Sequence, residues 1–194
     1  MESIVGQRVE KHVIKPGNSH YSLLAEFCHL SKNLYNHANY EVRQRFFKEG
    51  EWLRYPELDK LLKADREFPD YASMPTAQCA QQTLRILDRN WKSFMNSRRD
   101  WKEHGEKYRG VPGMPRYLKK DGYFQLVLTN QNCRLKGGGL KFPKAFRGFC
   151  LRTTFTRRPD FLSFQQVRII PHRNRIVIEV VYNIRIMREK PDNG

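Results

Sequence analysis

Between residues 74 and 102, apolar side chains recur at steps of three, four and seven. Ala77, Ala80, Leu84, Leu87, Trp91, Phe94 and Trp101 therefore share one stripe of a long helix. Pro75 suits the first turn of that helix, where a missing N–H costs nothing. A second stripe, Leu23, Phe27, Leu30, Leu34, Ala38, Val42 and Phe46, predicts another long helix over about 20–48, with Gly50 at the capping position. Leu58, Leu61 and Leu62 predict a shorter helix within 52–68, starting at Pro56 and stopped by Pro69-Asp70. Residues 18–104 thus read as a helical unit of three elements.

The period falls to two on either side of that unit. Residues 2–15 carry Ile4, Val9, Val13 and Ile14 and end at Pro16-Gly17-Asn18, which predicts one strand. Residues 105–122 form a basic loop with glycines and prolines. Beyond it, β-rich segments lie at 123–128, 133–135, 140–142, 149–155, 164–170 and 175–184. Gly137-Gly138-Gly139 predicts a tight turn, and His172-Arg173-Asn174 the turn of the last hairpin. Six short strands joined by the N-terminal one predict a barrel or small sandwich into which the helices are inserted, an α+β fold. The expected division is 1–17 with 105–190 for the strands and 18–104 for the helices.

Composition sharpens this. Lys plus Arg number 36 against 20 acidic residues, a net charge of +16. The excess is localised: residues 41–70 hold 7 basic and 8 acidic side chains, residues 85–120 hold 11 and 4, and residues 131–194 hold 14 and 4. Nucleic acid is the first partner such a field suggests, and a membrane surface is the rival. Nothing resembles a signal peptide or a spanning helix, so no membrane partner is expected. Basic residues alternate with aromatics at Tyr108-Arg109, Arg116-Tyr117, Lys141-Phe142 and Phe146-Arg147, a pairing suited to phosphates and unpaired bases. Asn33, Asn36 and Asn39 lie together on the first long helix. Their amides either contact nucleic acid or face water.

Catalytic chemistry is not evident. Cys28, Cys79, Cys133 and Cys150 form no C-x-x-C pair, and no His sits at zinc-ligand spacing from them. Reduced thiols and no metal or other cofactor in this chain are therefore expected. No phosphate-cradling loop or nucleophile elbow is present. The acids beyond residue 123, namely Asp160, Glu179, Glu189 and Asp192, are too scattered for a two-metal site.

Several stretches resemble one family. Leu34-Tyr35-Asn36-His37-Ala38 resembles the opening helix of the transposon-encoded TnpB (OrfB) proteins. Met74-Pro75, Ala80-Gln81-Gln82-Thr83-Leu84, Leu87-Asp88, Trp91-Lys92 and Phe94 resemble their next long helix. Pro115-Arg116-Tyr117-Leu118-Lys119-Lys120, Leu128-Thr129-Asn130-Gln131-Asn132 and Leu140-Lys141-Phe142-Pro143-Lys144 are similar to the segments that follow. The resemblance implies an RNA-guided DNA endonuclease related to type V CRISPR effectors. It implies a wedge-type β-barrel of six to seven strands with an inserted helical recognition lobe. Guide RNA and target DNA would be the partners, in a prokaryotic cytoplasm and associated with the nucleoid. The family's RuvC nuclease domain, with its Mg and Zn, would follow where this chain stops, and Asp192 lacks the context of its first catalytic Asp. No catalytic residue is therefore expected here.

By position, the resemblance implies motif reading on the DNA by Tyr55, Asp59, Thr76, Gln81, Thr129 and Asn130. Gln81 and Asn130 carry the amide geometry that pairs with adenine. Candidates for the nucleic-acid backbone are Arg85, Arg89, Lys92, Arg98, Arg116, Lys119 and Lys120. Three functions remain open at this point. The chain is the nucleic-acid-binding half of such a protein, or half of a split nuclease completed by a RuvC-containing chain or a second copy, or a nuclease-free DNA-binding regulator.

Overall fold

The computed structural model describes residues 2–188. Its elements are strand β1 (Glu2–Ile14), helices α1 (Tyr21–Glu49), α2 (Tyr55–Ala64) and α3 (Ala77–Glu103), then strands β2 (Leu126–Thr129), β3 (Arg134–Lys136), β4 (Gly139–Lys141), β5 (Cys150–Arg152), β6 (Phe161–His172) and β7 (Arg175–Arg188). The fold is α+β. No helix among the described residues is long and apolar enough to cross a membrane. The chain divides into two compact units. One holds the residues up to Cys28 with those from Gln125 onward, and the other holds His29–Phe124.

In the β unit, one antiparallel sheet runs β1-β7-β6-β2 and a smaller one runs β3-β4-β5. β1 pairs with β7 along its whole length, from Glu2 opposite Arg188 to Ile14 opposite Ile176. β6 and β7 form a hairpin closed at Arg173-Asn174, with irregular register between Phe161 and Gln166. Ile176, Ile178, Val180, Tyr182 and Ile184 alternate inward on β7. Tyr182 stacks on Phe155 with centroids 4.7 Å apart, and Phe27 from α1 meets Phe146 edge-on at 4.9 Å. At Gly6 an added Cβ would meet the end of the Ile186 side chain, so a larger residue there requires Ile186 to shift.

The strands form no closed barrel among the described residues, because β1 and β2 end the larger sheet as free edges. Residues 134–152 are broken too often to bridge those edges. Gly137 and Gly138 take φ of 60° and 73° in the β3–β4 turn, Gly148 takes 80°, and each strand there is three residues long.

In the helical unit, α2 buries Leu58 and Leu62, and α3 buries Ala80, Leu84, Leu87, Trp91 and Phe94. Leu34, Ala38 and Val42 are the matching buried positions of α1. Ser31 and Thr83 join their hydroxyls at 3.0 Å between α1 and α3. Gly50, at φ 76°, ends α1 with its N–H on the Phe46 carbonyl.

Several expectations are corrected in detail. Pro75 precedes α3 instead of opening it. Thr76 is the N-cap, its hydroxyl accepting from the Cys79 N–H at 3.1 Å. α2 is confined to ten residues because Asp65 turns the chain at its end. Ala77 is exposed and Trp101 half-buried, although both belong to the apolar stripe of α3. On α1 the fully enclosed residues include Leu24 and Cys28, while Leu23, Leu30 and Phe46 are half-buried. Finally, the loop from Gly105 to Phe124 clusters with the helices and not with the strands. Its attachment is the centre of the candidate site.

Candidate nucleic-acid interface

Residues 115–124 have no regular secondary structure, yet they are held along their length by one face of α1. The positions are His29, Lys32, Asn36, Asn39 and Arg43, whose spacing of three and four places them in a row. His29 Nδ1 lies 3.1 Å from the Gly122 carbonyl. The buried Lys32 ammonium donates to the Lys120 carbonyl at 2.5 Å. Asn36 makes a reciprocal pair with Leu118, donating to its carbonyl at 2.9 Å and accepting from its N–H at 2.8 Å. Asn39 Nδ2 and Arg43 Nη2 both donate to the Pro115 carbonyl, at 3.1 and 2.7 Å. Arg43 also lies over the Tyr117 ring at 4.7 Å.

Asn36 and Asn39 thus turn their amides to the strap, while Asn33 accepts from the Lys32 ammonium. The two strap-facing amides supply hydrogen bonds that an unpaired backbone segment must find somewhere. Asn39 is fully buried, and its carbonyl accepts the Trp91 indole N–H at 2.9 Å. With its backbone carbonyls committed to α1, the strap leaves Arg116, Lys119 and Lys120 exposed. Arg89, Lys92 and Arg98 are exposed on α3. A carboxylate or a neighbouring ring would sequester such a charge; Arg85 alone of this set sits on a ring, 3.9 Å above Tyr55.

The proposed motif-reading residues divide between the two units. Tyr55, Asp59, Thr76 and Gln81 lie in the helical unit. Asp59 and Gln81 meet at one residue that the sequence analysis missed, Tyr71. Its hydroxyl donates to Asp59 at 2.9 Å, and Gln81 bonds the same oxygen. Burial first, then the Asp59 hydrogen bond and charge, raise the Tyr71 hydroxyl well above its ordinary value. Tyr55 borders this cluster, its ring covered on one side by Arg85 and its N–H 3.3 Å from Asp88. Asp88 also takes a forked pair of bonds from Arg54, which ties α3 to the start of α2. Thr76 is spent on its capping bond. In the β unit, Thr129 ends β2 and Asn130 is exposed in the following turn, with its N–H on the Gln165 carbonyl at 3.0 Å.

His37 faces two carboxylates, Asp70 at 3.2 Å and Asp65 at 3.5 Å. The close Asp70 carboxylate, against a smaller burial effect and with help from the Asp65 and Glu41 charges, raises the His37 ring above its ordinary value. This joins the turn after α2 to α1. A simple sequence signal existed for it, since Asp65 and Asp70 bracket Pro69, but the partner lies far away in the chain.

Among the described residues no group of three or more His, Cys, Asp or Glu is placed to hold an ion. In the β unit, Asp160 is forked to Arg158 by two bonds of 2.9 Å, and Glu179 lies between Lys11 at 3.2 Å and Arg168 at 2.7 Å. Glu189 and Asp192 lie outside the described residues. Cys28, Cys79 and Cys133 are buried and Cys150 is exposed, all as free thiols. Burial pushes Cys28 up to about 12 and Cys79 up to about 11, so neither forms a reactive thiolate near neutrality.

No protein-family model matches the chain. Comparison with curated proteins returns no significant match either.

Proposed function

We propose that this chain is the nucleic-acid-binding portion of a TnpB-like RNA-guided DNA endonuclease, holding guide RNA and the DNA beside the target. In this reading the β unit serves as the wedge-type domain and the helical unit as the recognition lobe. Catalysis, Mg and Zn belong to a nuclease segment supplied elsewhere. The observation that carries the reading is the strap. Ten residues without secondary structure are fastened by α1 side chains, so that the exposed Arg116, Lys119 and Lys120 project from an anchored backbone. Cations on an anchored backbone lose less freedom on meeting phosphates than those on a loose loop. The net charge of +16 supplies the long-range attraction. Asn130, exposed in the turn after β2, is the residue this reading assigns to base edges, while Asp59, Thr76 and Gln81 are engaged internally.

The test is binding of a structured RNA across a salt series. Affinity should fall steeply between 50 and 200 mM salt. Replacing Arg116, Lys119 and Lys120 together by alanine should flatten the log–log slope by about 2 to 3, near one counterion for each lost contact. Asn130→Ala should leave the slope alone and change which flanking DNA is preferred. Affinity that ignores salt in the unmodified chain sinks the reading. Mg-dependent cleavage by the chain alone would show that the nuclease assignment is misplaced.

A further inference from the structure

A second feature of the helical unit is left unused by this reading. The last turns of α1 and the last third of α3 line an open groove of about 500 Å³, within the range of about 300–1,000 Å³ typical of small-ligand sites. Phe46 and Met95 line it. Phe46 is anchored by Trp91 at 5.3 Å and Phe94 at 6.3 Å. Phe47, 6.0 Å from Phe46, is instead 64% exposed. Around these rings stand Arg98, Arg99 and Lys102. No carboxylate lies among the groove's lining residues, and none of the three cations has an acidic partner within 4 Å among the described residues.

This combination is unusual. Arg98 and Arg99 each neighbour Lys102, at i,i+4 and i,i+3, so like charges repel on the helix surface, and an exposed phenylalanine gains nothing from water. Each feature becomes favourable with one occupant, a planar ring flanked by phosphates. Bases stack on aromatic rings whatever their sequence, and Arg or Lys neutralises the adjoining backbone. An acidic peptide would use the cations but leave the ring without a partner. We propose that the groove seats one unpaired base of a single-stranded nucleic acid against Phe47, with its flanking phosphates held by Arg98, Arg99 and Lys102. The proposal rests on the nucleic-acid-binding reading above and locates a site that the strap does not include.

The test uses the whole chain with a twelve-nucleotide unstructured oligomer, in RNA and DNA forms, carrying one 2-aminopurine. Binding should quench its fluorescence. Phe47→Leu should weaken binding about tenfold, as loss of one stacked base does, and abolish the quench without altering the salt slope. Phe47→Trp should retain both affinity and quench. Replacing Arg98, Arg99 and Lys102 by alanine should lower the single-strand salt slope by about 2. Equal binding of RNA and DNA fits a site made of ring and cations alone, and a preference for RNA adds a 2′-hydroxyl contact to it. If Phe47→Leu binds and quenches like the parent, the groove is not a base site, while strap-dependent binding of structured RNA would stand. If Leu and Trp variants are equally weak, stacking is not the interaction and the proposal fails. If no oligomer or structured RNA binds, this proposal and the function reading fall together.

Discussion

Replacing Asn36 by alanine should release the strap without unfolding the molecule. The side chain holds Leu118 through two hydrogen bonds, 2.9 Å to its carbonyl and 2.8 Å from its N–H. Each contributes about 1 kcal/mol net, so the strap's closed state should lose about 2 kcal/mol. That corresponds to roughly a 30-fold rise in the open population. The measurement is amide hydrogen exchange, followed at Leu118 by NMR or in a peptide spanning the strap. Exchange there should accelerate about 30-fold, while amides in the middle of α3 change little. Global unfolding in urea is a poorer assay, because alanine is the better helix former and returns up to about 0.7 kcal/mol to α1. Asn36→Asp sharpens the test. It keeps an acceptor for the Leu118 N–H but sets a carboxylate against the Leu118 carbonyl, so the strap should again loosen. If Leu118 exchanges within twofold of the parent in Asn36→Ala, the amide ladder is not what fastens the strap.

Other outcomes follow from the same geometry. Asn39→Leu removes the acceptor of the buried Trp91 indole and one of the donors to Pro115, and should cost about 2–3 kcal/mol by urea denaturation. For His37, a folded-state value above the ordinary 6.5 means that its contribution is complete below that pH and disappears as pH rises through the raised value. Stability should therefore decline on the alkaline side, and His37→Gln should remove that part of the slope in parallel melts. Glu10 is pushed up by burial, but bonds from the Thr154 hydroxyl and N–H and the Phe155 N–H outweigh this and leave it below its ordinary value. Its contribution should be present above about 4.5 and vanish as pH falls through the lowered value. Glu10→Gln should lose about 2 kcal/mol at pH 7 and flatten the acid limb of the profile.

The helices were legible because their periodicity is local. The apolar stripe of α3 marks Leu84, Leu87, Trp91 and Phe94 as the enclosed side, and these residues are buried. The stripe of α1 is displaced by one residue at its start, where Leu24 is enclosed and Leu23 is not, because its first turns and its later ones belong to different units. The strap was not legible. Asn36 and Leu118 are 82 residues apart, and an asparagine on a helix looks the same whether its partner is water or a distant carbonyl. Tyr71 escaped notice for the same reason. It sits in an irregular turn, and only folding brings Asp59 and Gln81 to its hydroxyl. The run of small strands after Gly137 was readable as turns and β-rich pieces, but their grouping into a separate sheet depends on pairing that no local pattern encodes.

The outer margin of the larger sheet carries one more consequence. β1 offers thirteen residues of backbone with no strand on its far side among the described residues, and Val5, Val9 and Val13 are exposed along it. A bare apolar ribbon of that length would recruit other chains into growing fibrils. Here Lys11 interrupts the valines and Arg8 stands exposed beside Val9, so an incoming strand would have to strip water from both cations. The same polar residues that make this strand a poor core element keep a crowded solution of the protein from setting solid.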